Sequence, residues 1–322
     1  MAVEYKTCVV VNPFSGAGKM AKRWPDIEQK LKKSIGDFQT FFTEYPHHAT
    51  TISRVALADG FNRIIVVGGD GTLSHVINGF FSEDGHKTPL NPDAVLGIIG
   101  VGTGCDTARS INIGDNIDKQ IETIKTGVPT AIDLGRVEVT LDDGSSSVAL
   151  FVNMCSFGIS AEIVESVNKF GFGKALSGRF AYLVGALRSL LSNKNRPIKL
   201  KINDGVEFTE TVALVGVANG SFCGGGVHLA PMANMTDGEL DAIMIGDVGL
   251  SDLLFYMRRL FKGRHMSHPK ITHQTLAKLS AHTCDDHEKL MPVEADGEFI
   301  GYLPCHMDVS PRAILVQTST VD

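Results

Sequence analysis

Residues 63–81 read RIIVVGGDGTLSHVINGFF and carry two periodicities back to back. Residues 63–67 form a β-branched run that stops at glycine, the pattern of a short buried strand. Leu73, Val76, Ile77 and Phe80 then recur at i, i+3, i+4 and i+7, which is one face of a helix. The turn between them is Gly68-Gly69-Asp70-Gly71-Thr72. Its glycines let the backbone fold tightly and bring bare N–H groups against a ligand, at a helix N-terminus whose dipole favours an anion. The turn therefore reads as a phosphate cradle. Asp70 sets a negative charge where a polyphosphate would lie, which calls for a metal ion or a lysine beside it. The plainer alternative is a tight strand-to-helix turn with Asp70 as its N-cap.

The same alternation runs outward from this unit. Strands over residues 7–11, 38–42 and 94–99 alternate with helices over residues 19–33, 47–59 and 117–125. This predicts a parallel sheet covered by helices on both faces, with ligands beyond the carboxyl ends of the strands. Three strands end in unusual loops, NPFSGAGK (12–19), GGDGT and GVGTGCD (100–106), which are expected to face one cleft. From residue 131 the pattern changes. Strands are expected over 132–141, 147–154, 198–202, 206–219 and 240–245, with more after 270, and helices only over 179–191 and 251–261. Hairpin signals stand at Asp142-Asp143-Gly144 and Asn203-Asp204-Gly205. The expected organisation is a nucleotide-binding α/β domain over 1–131, a β-rich substrate domain over 132–309, and residues 310–322 returning to the first through a strand at 313–317.

Composition excludes several classes. With 322 residues, 43% apolar and 20% charged, the chain has the content of a globular protein of two domains. A net charge of -6 argues against bulk attraction to nucleic acid or an anionic bilayer, so such a contact would need a local basic patch. The six cysteines show no C-x-x-C spacing, which argues against a zinc site or disulfide framework and fits a reducing, cytoplasmic setting. The N-terminus runs straight into a strand, with no signal-peptide pattern. The longest apolar run, 148–159, falls short of the roughly 18 residues of a membrane span and contains Asn153 and Ser156.

GAGK at 16–19 invites a P-loop reading, but Pro13 and Met20 stand where that motif needs glycine and Ser or Thr. An Asn-Pro turn followed by small residues remains, with Lys19 able to meet a phosphate as a point charge. GTGCD (102–106) is a second glycine-rich loop ending in a carboxylate. Asp70 and Asp106 together suit Mg²⁺ beside a nucleotide triphosphate.

NPxSGxG, GGDGT, GTGxD, the DLG of Asp133 to Gly135 and the DGE of Asp296 to Glu298 together resemble the diacylglycerol kinase catalytic-domain family of lipid kinases, above all its soluble bacterial two-domain members. KGRHMSHPK (262–270) and PMANMTDGEL (231–240) are similar to those proteins too, so the likeness spans nearly the whole chain. The resemblance implies a doubly wound N-terminal α/β domain like that of NAD and diacylglycerol kinases, with a mainly β-sandwich second domain. It implies ATP held by Asn12, Pro13, Phe14, Ser15 and Gly16, by Thr43, by Gly68, Gly69, Asp70, Gly71, Thr72, Leu73 and Ser74, and by Thr103. It implies Glu298 or Asp296 as general base on a lipid hydroxyl, which agrees with the need to take the alcohol's proton as the phosphoryl group arrives. Without the family, Asp296-Gly297-Glu298 reads as an ordinary hairpin turn. The resemblance also implies a structural metal site, with Asp237 ligating by its side chain and Asn234 and Glu239 by backbone carbonyls; a plain Asp-Gly turn explains those residues equally well.

The chain departs from the family pattern P-x-GTGND at two places, with Gly100 for the proline and Cys105 for the asparagine. The asparagine's amide donors are thereby lost. On the substrate side, Leu253, Leu254, Met257, Leu260 and Phe261 share one helical face beside Arg258, Arg259, Lys262, Arg264 and Lys270. That arrangement suits transient contact with a membrane surface, and equally a core stripe with a solvated edge. Gly171 to Gly173, between Phe170 and Lys174, suit a lip over an acyl cleft. The expected activity is ATP-dependent phosphorylation of a diacylglycerol-like lipid, with a homodimer and peripheral membrane association left open. The competing readings are a soluble-substrate kinase of the NAD kinase type, and a catalytically weak nucleotide-binding regulator motivated by Cys105.

Overall fold

The structure is a computed structural model and describes residues 4–101, 105–111, 113–170, 195–249, 259–284 and 290–319. The chain divides into two compact units, Met1–Leu134 with Pro311–Asp322, and Gly135–Ser310. In order, the chain forms β1 (Thr7–Val11), α1 (Met20–Ile35), β2 (Gln39–Phe42), α2 (His48–Ala58), β3 (Arg63–Gly68), α3 (Asp70–Asn78), β4 (Val95–Gly100), α4 (Asp106–Ser110), α5 (Ile117–Thr126) and β5 (Val128–Thr140). It continues through β6 (Ser146–Phe151), β7 (Met154–Gly158), α6 (Ile159–Phe170), β8 (Arg196–Ile202), β9 (Phe208–Val212), β10 (Leu214–Ala218) and β11 (Leu240–Ile245). It closes with β12 (Ile271–Leu276), β13 (Lys278–Thr283), β14 (Pro292–Ala295) and β15 (Glu298–Thr318).

In the first unit β1 pairs in parallel with β2 and β3, β3 with β4, and Leu315 and Val316 of β15 lie parallel to β4. Val9, Val11, Ile65, Val67 and Ile99 pack in one cluster with Met20, Trp24, Ile27 and Leu31 of α1 and Ile121 and Ile124 of α5. α2 packs on α3 and on β1, and α3 on β3. Because successive strand residues point to opposite faces, burial on both requires the unbroken Val/Ile runs of the sequence. Fully buried Asp133, of the DLG motif, accepts the main-chain N–H of Arg312 at 2.7 Å. That bond anchors the returning chain where Arg312 takes a left-handed φ of 50°.

The second unit is antiparallel in its pairings β5–β6, β7–β10, β10–β11, β11–β12, β7–β14, β14–β15, β13–β15, β8–β13 and β8–β9. Val137, Phe151, Phe157, Leu200, Val215, Val217, Leu279 and Val293 are among the fully buried residues of its core. The strand expected over 147–154 is two strands, because the chain leaves the ladder at Val152 and Asn153, whose backbone groups are taken by other partners described below. The strand expected over 206–219 likewise breaks at Ala213, whose N–H bonds Ile245 O at 2.9 Å and whose carbonyl takes the N–H of Ile159 at 2.9 Å. α6 was not foreseen; Ile159, Ala161, Ile163, Val164 and Glu165 are among its buried residues, and the run of strand-like residues before it masked the change of period. The helix expected over 179–191 and residues 171–173 lie outside the described residues, as do residues 251–258 of the other expected helix. Leu260 is core and Phe261 is 52% exposed, so the two do not share an exposed stripe.

Gly135 faces Phe151 across β5 and β6, and a Cβ there would stand 1.9 Å from the ring. The ring occupies the space that the glycine leaves. Replacing Gly135 by alanine is expected to cost about 1–3 kcal/mol through overpacking, read as a lower urea midpoint at unchanged m-value.

Candidate active site

The carboxyl ends of the first four strands lie side by side, Val11 opposite Phe42 and Val67, and Gly68 opposite Gly100. Main-chain bonds carry the alignment past the strands: Asn12 N–H to Val67 O at 3.0 Å, Thr43 N–H to Val11 O at 2.9 Å, and Val101 N–H to Gly68 O at 2.8 Å. Asn12, Thr43 and Gly68 to Asp70 are thereby brought to one edge of the sheet. Thr103 lies outside the described residues.

Asn12 joins two of the loops. Its Nδ2 donates to Thr72 Oγ1 at 2.8 Å, and its Oδ1 accepts the Phe14 N–H at 3.0 Å. Thr72 can reach Asn12 only because Gly68 has no side chain, since a Cβ there would stand 2.7 Å from Thr72 Cβ. The NPFSG loop is wound by its own bonds, Ser15 N–H to Asn12 O at 3.2 Å and Gly18 N–H to Phe14 O at 2.9 Å. Gly16, Ala17 and Gly18 all have left-handed φ, at 63°, 58° and 78°. Phe14 is 69% exposed, and Lys19 lies exposed just before α1.

The cap of α3 is Gly69, not Asp70. Gly69 is extended and has no side chain to bond the first N–H groups of the helix, which leaves them directed at an anion. Asp70 is the first helical residue and its Oδ1 accepts the Thr107 N–H at 3.3 Å. Thr72, Leu73 and Ser74 are buried side chains, so Leu73 belongs to the core and can offer a ligand only its backbone. Asp106 is buried and its Oδ1 pairs with Arg109 Nη1 at 2.9 Å, which puts a cation beside it. Both aspartates are hard oxygen donors of the kind Mg²⁺ takes. The crevice lined by Gly68, Gly69, Asp70, Gly100 and Cys105 is only 10 Å³, room for a single water, so any phosphate lies outside it.

The two departures from the family pattern touch each other. A Cβ on residue 100 would stand 2.6 Å from Cys105 Sγ, and Gly100 donates its N–H to Gln120 Oε1 at 3.0 Å, a bond that proline lacks the hydrogen to make. Cys105 is left-handed at φ 50°, a conformation that asparagine tolerates more readily. Burial, with Asp70 and Asp106 adding to it and Arg109 opposing, pushes the Cys105 thiol up to about 11, so it stays neutral and is no thiolate nucleophile.

In the second unit the motif Ala295-Asp296-Gly297-Glu298 is a two-residue hairpin, with Ala295 paired to Glu298 and with Asp296 and Gly297 at φ 49° and 85°. The hairpin reading and the functional one thus describe the same residues. Asp296 is committed to backbone: its carboxylate accepts the N–H groups of Val152 and Asn153, each at 2.8 Å, and of Met154 at 3.1 Å. The carbonyls of the same break are met by Asn219, whose Nδ2 donates to Val152 O at 2.7 Å and whose N–H donates to Asn153 O at 2.8 Å. Glu298 is half-buried at the start of β15. A register shift between Val293 and Glu294 leaves Ile300 as the extra residue of a β-bulge just beyond it. Asn234, Asp237 and Glu239 are exposed, and Asn234 and Asp237 close local turns, by Oδ1 to Thr236 N–H at 3.2 Å and to Glu239 N–H at 3.0 Å.

The sequence reading missed two groups. Tyr45 stacks on His48 at 4.2 Å and His47 meets His75 at 4.3 Å; the adjacent histidines 47 and 48, a few residues past the 38–42 strand, were the available signal. Buried Glu294 was not singled out, because the strands after residue 270 were not delimited from sequence.

Glycine loops and aspartates at the carboxyl edge of a parallel sheet suit the binding of phosphate, as a phosphotransferase requires. Residues 6–137 match the diacylglycerol kinase catalytic domain, and residues 153–318 match the YegS C-terminal NAD kinase β-sandwich-like domain. A diacylglycerol kinase of Staphylococcus saprophyticus is 29% identical over 92% of this chain and 90% of its own length. A diacylglycerol kinase structure from Bacillus anthracis str. Sterne superposes with a TM-score of 0.71 at 21% identity, over 98% of each chain. An NAD kinase from Archaeoglobus fulgidus in complex with ATP reaches a TM-score of 0.51 at 14% identity, over 97% of this chain and 93% of its own, a likeness of fold alone. The chain belongs to the diacylglycerol kinase family and is a lipid kinase, and ATP is the phosphoryl donor that this family implies. Among the described residues, no helix is long and apolar enough to cross a membrane.

If Cys105 occupies the space that Gly100 leaves, the two positions are coupled. Gly100→Ala is expected to destabilise by about 1–3 kcal/mol in the wild-type background and by about 1 kcal/mol less in a Cys105→Ala background. Additive unfolding free energies in this cycle would show that the contact carries no energy.

Proposed function

We propose that the protein transfers the γ-phosphoryl group of ATP to the hydroxyl of a diacylglycerol, with Glu298 as general base. The lipid oxygen forms a bond to the γ-phosphorus as the bond to the β-phosphate oxygen breaks, Glu298 takes the hydroxyl proton, and ADP leaves. The observation that carries this reading is the division of labour in the Asp296-Gly297-Glu298 hairpin. Asp296 is engaged by three main-chain N–H groups, which favour its ionised form, so Asp296 positions the turn and Glu298 does the chemistry. On the nucleotide side, the uncapped start of α3 and the Asn12–Thr72 bond support ATP phosphates on Gly69 to Thr72 and on the 12–16 loop, with Thr43 and Thr103 beside them. Asp70 and Asp106 would hold Mg²⁺, which when bound neutralises charge on the phosphoryl oxygens.

Peripheral contact with an anionic membrane surface is part of the same proposal. Arg259, Phe261, Lys262, Arg264 and Ser267 line an open groove of 670 Å³ in which an exposed aromatic stands among three cations. The cell compartment that fits is the cytoplasm, at its membrane face.

The test is transfer of labelled phosphate from ATP with Mg²⁺ to a panel of lipids in mixed micelles, with NAD as soluble competitor. Wild type is expected to label diacylglycerol, and Glu298→Ala to reduce kcat by about 10²- to 10⁴-fold. Labelling of NAD alone would overturn the assignment.

A structural cation on Asp237, with the carbonyls of Asn234 and Glu239, is proposed on the same footing, supported by an exposed carboxylate that its own turn holds in place. Millimolar Mg²⁺ is expected to raise the thermal midpoint of the wild type by more than that of Asp237→Asn, which keeps Asp70 and Asp106. Equal responses would refute the site.

A further inference from the structure

Glu294 lies two residues before Asp296 on β14 and is only 7% exposed. Its Oε2 accepts the main-chain N–H of Gly297 at 2.9 Å. Its Oε1 accepts the hydroxyl of Ser156, the residue opposite it on β7. Ser156 Oγ shares a further hydrogen bond of 2.7 Å with Ser160 Oγ in the first turn of α6, the helix that packs against β7 and β14. Burial pushes the Glu294 carboxyl up to about 7, with Asp296 adding to the rise and the bonds from Ser156 and Gly297 opposing it.

The peptide between Asp296 and Gly297 is therefore gripped from two directions. Asp296 ties the turn to the break between β6 and β7, and Glu294 ties its N–H to the body of the sheet. Gly297 needs its left-handed φ of 85°, but a Cβ there would meet nothing within 4 Å, so packing against residue 297 does not hold the turn. Hydrogen bonds hold it. A two-residue hairpin with a bulge just beyond it would otherwise be free to twist, and Glu298 with it.

We propose that Glu294 is the positioning residue of the catalytic hairpin: seated on Ser156 and Ser160, it holds the Gly297 N–H and so fixes where the Glu298 carboxylate stands. This rests on Glu298 being the base.

The test compares Glu294→Gln, Glu294→Leu, Ser156→Ala and Glu298→Ala in the full chain, measuring kcat and KM for ATP in the lipid assay and unfolding in urea. Glu294→Gln keeps an acceptor for the Gly297 N–H and is expected to retain kcat within about threefold. Glu294→Leu keeps the volume and loses the acceptor; kcat is expected to fall by between about tenfold and about a hundredfold, with KM for ATP unchanged. Ser156→Ala loosens the seat and is expected to give a smaller fall in kcat of the same kind. A folded Glu294→Leu protein with wild-type kcat overturns the proposal, and so does a Glu294→Gln protein as impaired as Glu294→Leu. Should Glu294→Leu show no cooperative unfolding, wild-type kcat in Ser156→Ala overturns it. Undiminished activity in Glu298→Ala would instead remove the base assignment, a separate outcome read in the same series.

Discussion

Three consecutive main-chain N–H groups, those of Val152, Asn153 and Met154, end on the single carboxylate of Asp296. Hydrogen bonds to an ionised group contribute about 1.5–3 kcal/mol each, so this cluster is a large fraction of the 5–15 kcal/mol that separates a folded domain from its unfolded chain. It also directs topology. Lifted out of the ladder for two residues, the chain ends β6 against β5 and starts β7 between β10 and β14. The hairpin that carries Glu298 is thereby held to the strand break it creates, and Asn219 completes the arrangement by taking the carbonyls of the same residues.

The nucleotide side rests on missing atoms. Gly68 has no Cβ, so Thr72 can lean in and take the Asn12 amide, which joins the loop after β1 to the first turn of α3. Gly100 has no Cβ, so Cys105 Sγ fits over it, and its N–H is kept for Gln120, whose Nε2 donates to Gly114 O at 3.1 Å. The two departures from the family pattern, Gly100 and Cys105, thus stand against each other, the small residue beside the sulfur. A neutral thiol replaces an amide there and leaves the carboxylates of Asp70 and Asp106 in place.

Much of this was legible in the order of residues. The Val/Ile runs that end at Gly68 and Gly100 have no other stable use than parallel strands covered on both faces, and Leu73, Val76 and Ile77 mark the helix after the cradle by period alone. Glycine and aspartate in GGDGT and ADGE mark turns of left-handed or cap geometry. The strand break at Val152 was not legible, because VALFVNMCSFG is mostly apolar and its single Asn153 is too weak a local signal to stop a strand. Its cause lies more than 140 residues later, in a side chain that reads as an ordinary turn residue. Glu294 was missed for the same reason: in a short apolar strand a lone carboxyl looks outward-facing, and only Ser156 and Gly297 make it an inward one.

By itself, then, the sequence determined the elements that depend on near neighbours: the parallel strands and helices of the first unit, the glycine loops, the hairpin at Asp296-Gly297, and the set of carboxylates available for phosphoryl transfer. Only the tertiary structure decided what surrounds each carboxylate. Asp296 and Glu298 are two residues apart and chemically alike, and nothing in their order distinguishes them. The distinction comes from distant backbone: three N–H groups reach Asp296, while Glu298 stands half-buried beyond the turn, because a carboxylate's role is set by the hydrogens that surround it and those arrive from elsewhere in the fold.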